Sequence, residues 1–194
     1  MGAEKDRRYV AVDELKVLKA ANEAVETQNA VGSEPELALR DLFGIEQKLT
    51  AYRGKIVVLN FWATWCIPCR KEMPDLAAIQ NDYAALGIQV IGASADTLNE
   101  RSKVLQFIKE TRINFPVWVG ATTEDMRQFG LGPALPGTAV IGRDGQILSV
   151  TPAVVTQAEL RKLIERLLAA DAVAIKNEIA SGREVYEQAS LVPS

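Results

Sequence analysis

The stretch from Asn60 to Pro74, NFWATWCIPCRKEMP, contains both cysteines of the chain, Cys66 and Cys69, with only Ile67 and Pro68 between them. Closing so short a loop removes about 2 kcal/mol of chain entropy, against about 4.7 kcal/mol for a loop of about a hundred residues, so the pair is badly placed as a structural staple. As a reversible bond it is well placed, because a mixed disulfide formed at one sulfur always has the other within reach to resolve it. The run IVVLNFW before the pair is apolar and β-branched, the pattern of a strand buried on both faces. Pro68 is tolerated only in the first turn of a helix, so a helix is expected to start directly after Cys66. That sets the Cys66 sulfur at a helix N-terminus, where unpaired N–H groups and the dipole favour a thiolate. Lowering a thiol pKa from about 8.5 to about 7 raises the thiolate fraction at neutral pH roughly fifteenfold. Lost nucleophilicity takes back about fivefold of this, leaving about threefold. The larger consequence is for equilibrium: a stabilised thiolate is a better leaving group, so Ile67, Pro68 and nearby charges tune the redox potential. Cys69, one turn into the helix, is expected to be less exposed and to react second.

The rest of the composition removes competing chemistries. The chain has 194 residues, 48% of them hydrophobic, which suits one globular domain with additions. Its formal charge of −3 and the absence of a Lys/Arg cluster give no reason to expect nucleic acid. It contains no histidine, which excludes a Ser-His or Cys-His nucleophile and any histidine-containing metal site. Two cysteines are half of a four-thiolate zinc site. The opening MGAEKDRRYV lacks the apolar centre of a signal peptide, and no apolar run approaches the roughly 20 residues of a membrane span. The expectation is therefore a protein that is either cytoplasmic or preceded by a leader or anchor that has been removed.

Three regions are expected: a helical extension over 1–33, a core domain over 34–170, and a second helical extension over 171–194 interrupted at Ser181-Gly182. Within the core, ELALRDLFGIEQKLTAYRGK reads as a hairpin around Phe43-Gly44. Helical spacing runs from about Pro68 to Leu86, GIQVIGAS is a second buried strand, and Thr97 with Glu100 forms a capping-box pattern ahead of a further helix. FPVWV is a short strand, TEDMRQFG a short helix ended by Gly130, and TAVIG and QILSV a hairpin about Asp144-Gly145. The helix TQAELRKLIERLLAA closes the core. Alternating strands and helices followed by a hairpin argue for an α/β fold, a mixed sheet with helices on both faces.

FWATWCIPCRKEMP, together with YRGK, NFPVWVG and a proline before TAVIGRDGQI, resembles the thioredoxin-fold thiol–disulfide oxidoreductases, specifically their TlpA/ResA-like branch of membrane-associated reductases. The likeness covers about residues 34–170. It implies a thioredoxin-like fold in which Cys66 attacks and Cys69 resolves. It also implies that Pro136 is a cis-proline opposite the motif, and that the backbone of Leu135 pairs with a bound substrate strand. Trp65, Ile67, Pro68, Leu135 and Pro136 then form the substrate-binding set. Glu72 matches an acidic residue that handles the second thiol's proton, although an exposed first-turn glutamate is also what the helix dipole alone favours. Two positions depart from related patterns. Asn60 stands where cytosolic thioredoxins carry a buried aspartate, and its plain reading is that it satisfies strand-adjacent backbone groups. Gly137 follows Pro136 where a threonine is commoner.

The resemblance implies reduction of protein disulfides in the periplasm or another extracytoplasmic compartment, with cytochrome c maturation or a related thiol pathway as the setting. The chain carries no NAD(P)H or flavin fingerprint, so an upstream thiol electron donor such as a membrane thiol transporter is implied, and the chemistry needs no bound cofactor or metal. A disulfide oxidase or isomerase differs only in potential and partner. A peroxiredoxin-like peroxidase would need proline and threonine where this chain has Leu59 and Ala63. A non-enzymatic, redox-gated binding module is the remaining alternative. The oligomeric state is left open.

Overall fold

The run IVVLNFW forms β3 (Ile56–Trp62), every residue of which is buried, as expected of a strand covered on both faces. The computed structural model describes residues 30–189, with side chains through residue 177, so most of the helical extension expected over 1–33 lies outside the described residues. Around β3 are β1 (Ala38–Asp41), β2 (Glu46–Lys48), β4 (Ile88–Ser94), β5 (Val117–Val119), β6 (Gly137–Ile141) and β7 (Ile147–Thr151). The helices are α1 (Ile67–Tyr83), α2 (Arg101–Thr111), α3 (Thr123–Gln128) and α4 (Gln157–Ala189).

The strand order is β2-β1-β5-β4-β3-β6-β7. β3 and β5 flank β4 in parallel, joined through α1 and α2, while β6 and β7 on one side and β1 and β2 on the other run antiparallel. This is the mixed sheet of a thioredoxin-like α/β fold. The Phe43-Gly44 hairpin closes one edge, with Gly44 at φ +83°. The Asp144-Gly145 hairpin closes the other, with Gly145 at φ +88° and its N–H bonded to the Gly142 carbonyl. Such left-handed positions favour glycine.

Alternation along β3 divides its side chains between two layers. Val57, Leu59 and Phe61 join a core with Trp118, Met126 and Phe129, on the α3 side of the sheet. Asn60 and Trp62 face the α1 and α2 side: Asn60 bonds to a residue of α1, and the Trp62 and Phe107 rings lie 5.2 Å apart. α1 covers this face with Cys69, Met73, Leu76, Ile79 and Tyr83, a stripe at helical spacing. Gly92 of β4 leaves room for Trp62, since a Cβ there would stand 2.8 Å from the indole nitrogen.

The described residues fall into two compact units that meet at Val155/Thr156. The second is α4, begun by Thr156, whose hydroxyl and N–H both donate to the Glu159 carboxylate. One expectation for this region is corrected: the helix is continuous through Ser181-Gly182, where a break is expected from the sequence. Helix formers flank the pair, and one interior glycine costs only about 1 kcal/mol, too little to end a helix that continues on either side.

Candidate active site

The end of β3 delivers the chain into the cysteine motif. After Trp62, the Cys66 N–H bonds to the Ala63 carbonyl and closes a turn. Cys66 is then the N-cap of α1, in extended conformation, with Pro68 in the first turn. Its Sγ accepts the Cys69 N–H at 3.3 Å, the bond an N-cap side chain makes to an otherwise unpaired helix N–H. Cys66 and Cys69 are joined as a disulfide with Cα atoms 5.3 Å apart. Cys69 is 0% exposed and Cys66 5%, so the small opening to solvent is at Cys66, the order the sequence predicts. Trp65 and Ile67 stand out beside it at 67% and 69% exposure, and Pro68 is exposed between them and Cys69.

Leu135 and Pro136 arrive from the other side. β6 pairs antiparallel with β3, Gly137 opposite Phe61, so the residue before Gly137 lies level with the end of β3 where the motif begins. The Leu135–Pro136 peptide bond is cis. Pro136 is buried, and Leu135 is half-buried against the α3-side core.

Glu72 does not sit on the surface as a first-turn glutamate would. It is 1% exposed, one turn after Cys69 and so on the same face of α1. Its Oε1 accepts from Asn60 Nδ2 at 2.8 Å and its Oε2 from the Val155 N–H at 3.1 Å. Burial pushes its pKa up, and the nearby Asp75 charge adds to this. The Asn60 and Val155 hydrogen bonds pull the other way, and the balance leaves it at about 7. Asn60 thus corrects its plain reading: its side chain serves a carboxylate and Thr138, at 3.0 Å, rather than backbone groups.

A second polar group was not anticipated. Asp96, fully buried beyond β4, accepts from the Thr64 N–H at 2.7 Å, the Thr64 hydroxyl at 2.6 Å and the Ser94 hydroxyl at 2.6 Å. It hangs the turn before Cys66 on the end of β4. The available signal was Ser94 and Asp96 following directly on a buried apolar strand. On α1, Arg70 is exposed and lies 5.1 Å from the Phe107 ring centroid, and Lys71 is exposed too. Leu59 and Ala63, where a peroxidase would need proline and a hydroxyl, are both buried and apolar. Among the described residues no group of three or more His, Cys, Asp or Glu could hold a metal ion.

Residues 32–150 match the AhpC/TSA family. Among curated relatives, the thiol-disulfide oxidoreductase ResA of Geobacillus thermodenitrificans (strain NG80-2) is 32% identical over 142 residues, which are 73% of this chain and 80% of the relative. ResA of Bacillus subtilis (strain 168) is 30% identical over 124 residues, 64% of this chain and 68% of the relative. Among solved structures, a thiol:disulfide interchange protein of the thioredoxin family from Chlorobium tepidum TLS is similar with a TM-score of 0.61 and 27% identity, over 71% of this chain and 97% of that one. Cysteine spacing, fold and relatives agree: the chain belongs to the AhpC/TSA family and is a thiol–disulfide oxidoreductase of thioredoxin fold that acts on proteins through its own Cys66–Cys69 pair.

Proposed function

We propose that the protein reduces disulfides in other proteins, with Cys66 as the attacking thiolate, Cys69 as the resolving thiol and Glu72 as the acceptor of the Cys69 proton. The observation that carries this is the Cys66 sulfur itself: it caps α1, accepts an N–H there, and holds the only opening of the pair to solvent. In the reduced protein the Cys66 thiolate attacks one sulfur of a substrate disulfide, forms a mixed disulfide and expels the other substrate sulfur as a thiolate, which takes a proton from water. Cys69 then passes its proton to the Glu72 carboxylate. The resulting thiolate attacks Cys66 Sγ, closes the Cys66–Cys69 bond and releases the second substrate thiolate. Two electrons leave the protein and one substrate disulfide becomes two thiols. A group with a pKa of about 7 is ionised often enough at neutral pH to accept the proton and binds it well enough to hold it. Trp65, Ile67 and Pro68 form one rim of the docking site, and the Leu135 backbone beside Pro136 pairs with the substrate segment on the other.

Reduction rather than oxidation is the direction that the ResA relationship supports, as are an extracytoplasmic location and a place in cytochrome c maturation or a related thiol pathway. Return to the dithiol needs an upstream thiol donor, for which a membrane thiol transporter is the fitting class. Among the described residues no helix is long and apolar enough to cross a membrane.

Replacement of Cys69 by serine tests the assignment. The variant, expressed in envelope and cytoplasm separately, should accumulate mixed disulfides through Cys66 with envelope proteins. Absence of any adduct contradicts the roles of the two cysteines, and adducts in the cytoplasm alone contradict the location. Titration of the wild type against thiol buffers should give a midpoint nearer the about −270 mV of thioredoxin than the about −120 mV of a strong oxidase.

A further inference from the structure

β3 is apolar except at Asn60, which is fully buried. Both hydrogens of its amide are used, one on Glu72 Oε1 at 2.8 Å and one on Thr138 Oγ1 at 3.0 Å. Its carbonyl oxygen, also buried, meets no donor. An interior side chain that leaves half its polar capacity unpaired lowers stability relative to an apolar residue of like volume, so stability alone does not explain an asparagine here. Thr138 is the cross-strand partner of Asn60 and follows Pro136 by two residues, so the amide ties Glu72 to the strand that begins at the cis-proline.

We propose that Asn60 is a positioning residue for the exchange reaction: its amide aims the Glu72 carboxylate and favours the ionised form that accepts a proton, and Thr138 in turn holds the amide. This rests on the reading of Glu72 as the proton acceptor. A donor to a carboxylate favours its charged form, and Glu72 has two, the Asn60 amide from β3 and the Val155 N–H from the segment after β7. Against them act burial and the Asp75 charge on the same helix. Cys66 and Cys69 lie one to two turns before Glu72 on α1, and Arg70 and Lys71 between them are exposed. An amide suits this place better than a second acid. Aspartate at 60 would put two carboxyls within hydrogen-bond distance, where they share one proton and titrate as a coupled pair.

The test uses the full-length reduced protein with isotope-labelled glutamate. The Glu72 carboxyl is titrated spectroscopically, alongside the pH profile of Cys69 closing on a glutathione mixed disulfide at Cys66. Asn60→Leu should raise the pH at which Glu72 ionises and lower the closing rate about tenfold at pH values below both midpoints, which corresponds to a rise of about one pH unit. Thr138→Val should shift both in the same direction by less, and Asn60→Asp should split the carboxyl titration in two. Were Asn60→Leu to fail to fold, Thr138→Val and Asn60→Asp would decide the matter. Variants that lose stability but keep the wild-type Glu72 titration overturn the proposal. Glu72→Gln separates it from the reading beneath: if that variant keeps the wild-type closing profile while Asn60→Leu still moves the Glu72 titration, it is the proton-acceptor reading that fails.

Discussion

Asp96 and Glu72 are both buried carboxylates beside the cysteine motif, one tied to the turn before Cys66 and the other placed on the helix after Cys69. Asp96 receives three donors at 2.6–2.7 Å, two of them hydroxyls and one the Thr64 N–H. Glu72 receives two at 2.8 and 3.1 Å, one from an amide whose own carbonyl is unpaired. Three short bonds to two neighbouring segments make Asp96 a mount for the Cys66 turn. Two longer bonds offset burial only in part, so the Glu72 pKa is left raised, at about 7. The two carboxylates differ in the number and kind of donors they receive, since both are equally removed from solvent.

The largest test of this contrast is Asp96→Ala. It takes the acceptor from an N–H and two hydroxyls, each left unpaired at a cost of about 1–3 kcal/mol before relaxation, and should lower the free energy of unfolding by about 4 kcal/mol in urea titrations. A loss under about 1 kcal/mol would show that the turn does not hang on Asp96.

The second test is stability against pH. The folded pKa of Glu72, about 7, lies above its ordinary 4.5, so folding takes up a proton between those values. Its contribution is complete below about pH 4.5 and is lost as pH rises to about 7, in all about 3 kcal/mol. Glu72→Gln should flatten that window, and an unchanged slope would mean that Glu72 does not titrate there. Smaller effects sharpen the picture. Thr64→Val loses one hydroxyl bond but keeps the N–H bond to Asp96, and should cost about 1–2 kcal/mol and slow substrate exchange. Thr97→Ala, in the exposed capping box that directly follows Asp96, should cost about 1 kcal/mol or less in the same urea titrations.

The sequence made the frame legible where short-range rules act. IVVLNFW could only be an interior strand, Pro68 after Cys66 marked a helix start, Asp144-Gly145 marked a hairpin, and Thr97-Glu100 was indeed a capping box. The cysteine pair and the greater burial of Cys69 were legible for the same reason, since cap, proline and spacing sit within four residues. The polar wiring was not. Thr64 and Asp96 lie thirty-two positions apart, and Asn60 and Thr138 seventy-eight. Nothing periodic marks a side-chain bond across such distances. Asn60 in an apolar strand was a visible anomaly, yet only the fold names its partners. α4 shows the opposite case: Ser181-Gly182 is a break by local propensity alone, and the helix formers on both sides carry the helix through it.

The most direct measurement is the ionisation of Cys66 in the reduced Cys69→Ser protein, followed by thiolate absorbance and by the pH dependence of alkylation. Held at the mouth of α1 with an N–H directed at its sulfur, Cys66 should ionise well below the about 8.5 of a free cysteine. A Cys66 that titrates at or above that value, or that alkylating reagents do not reach in the folded protein, would contradict the account.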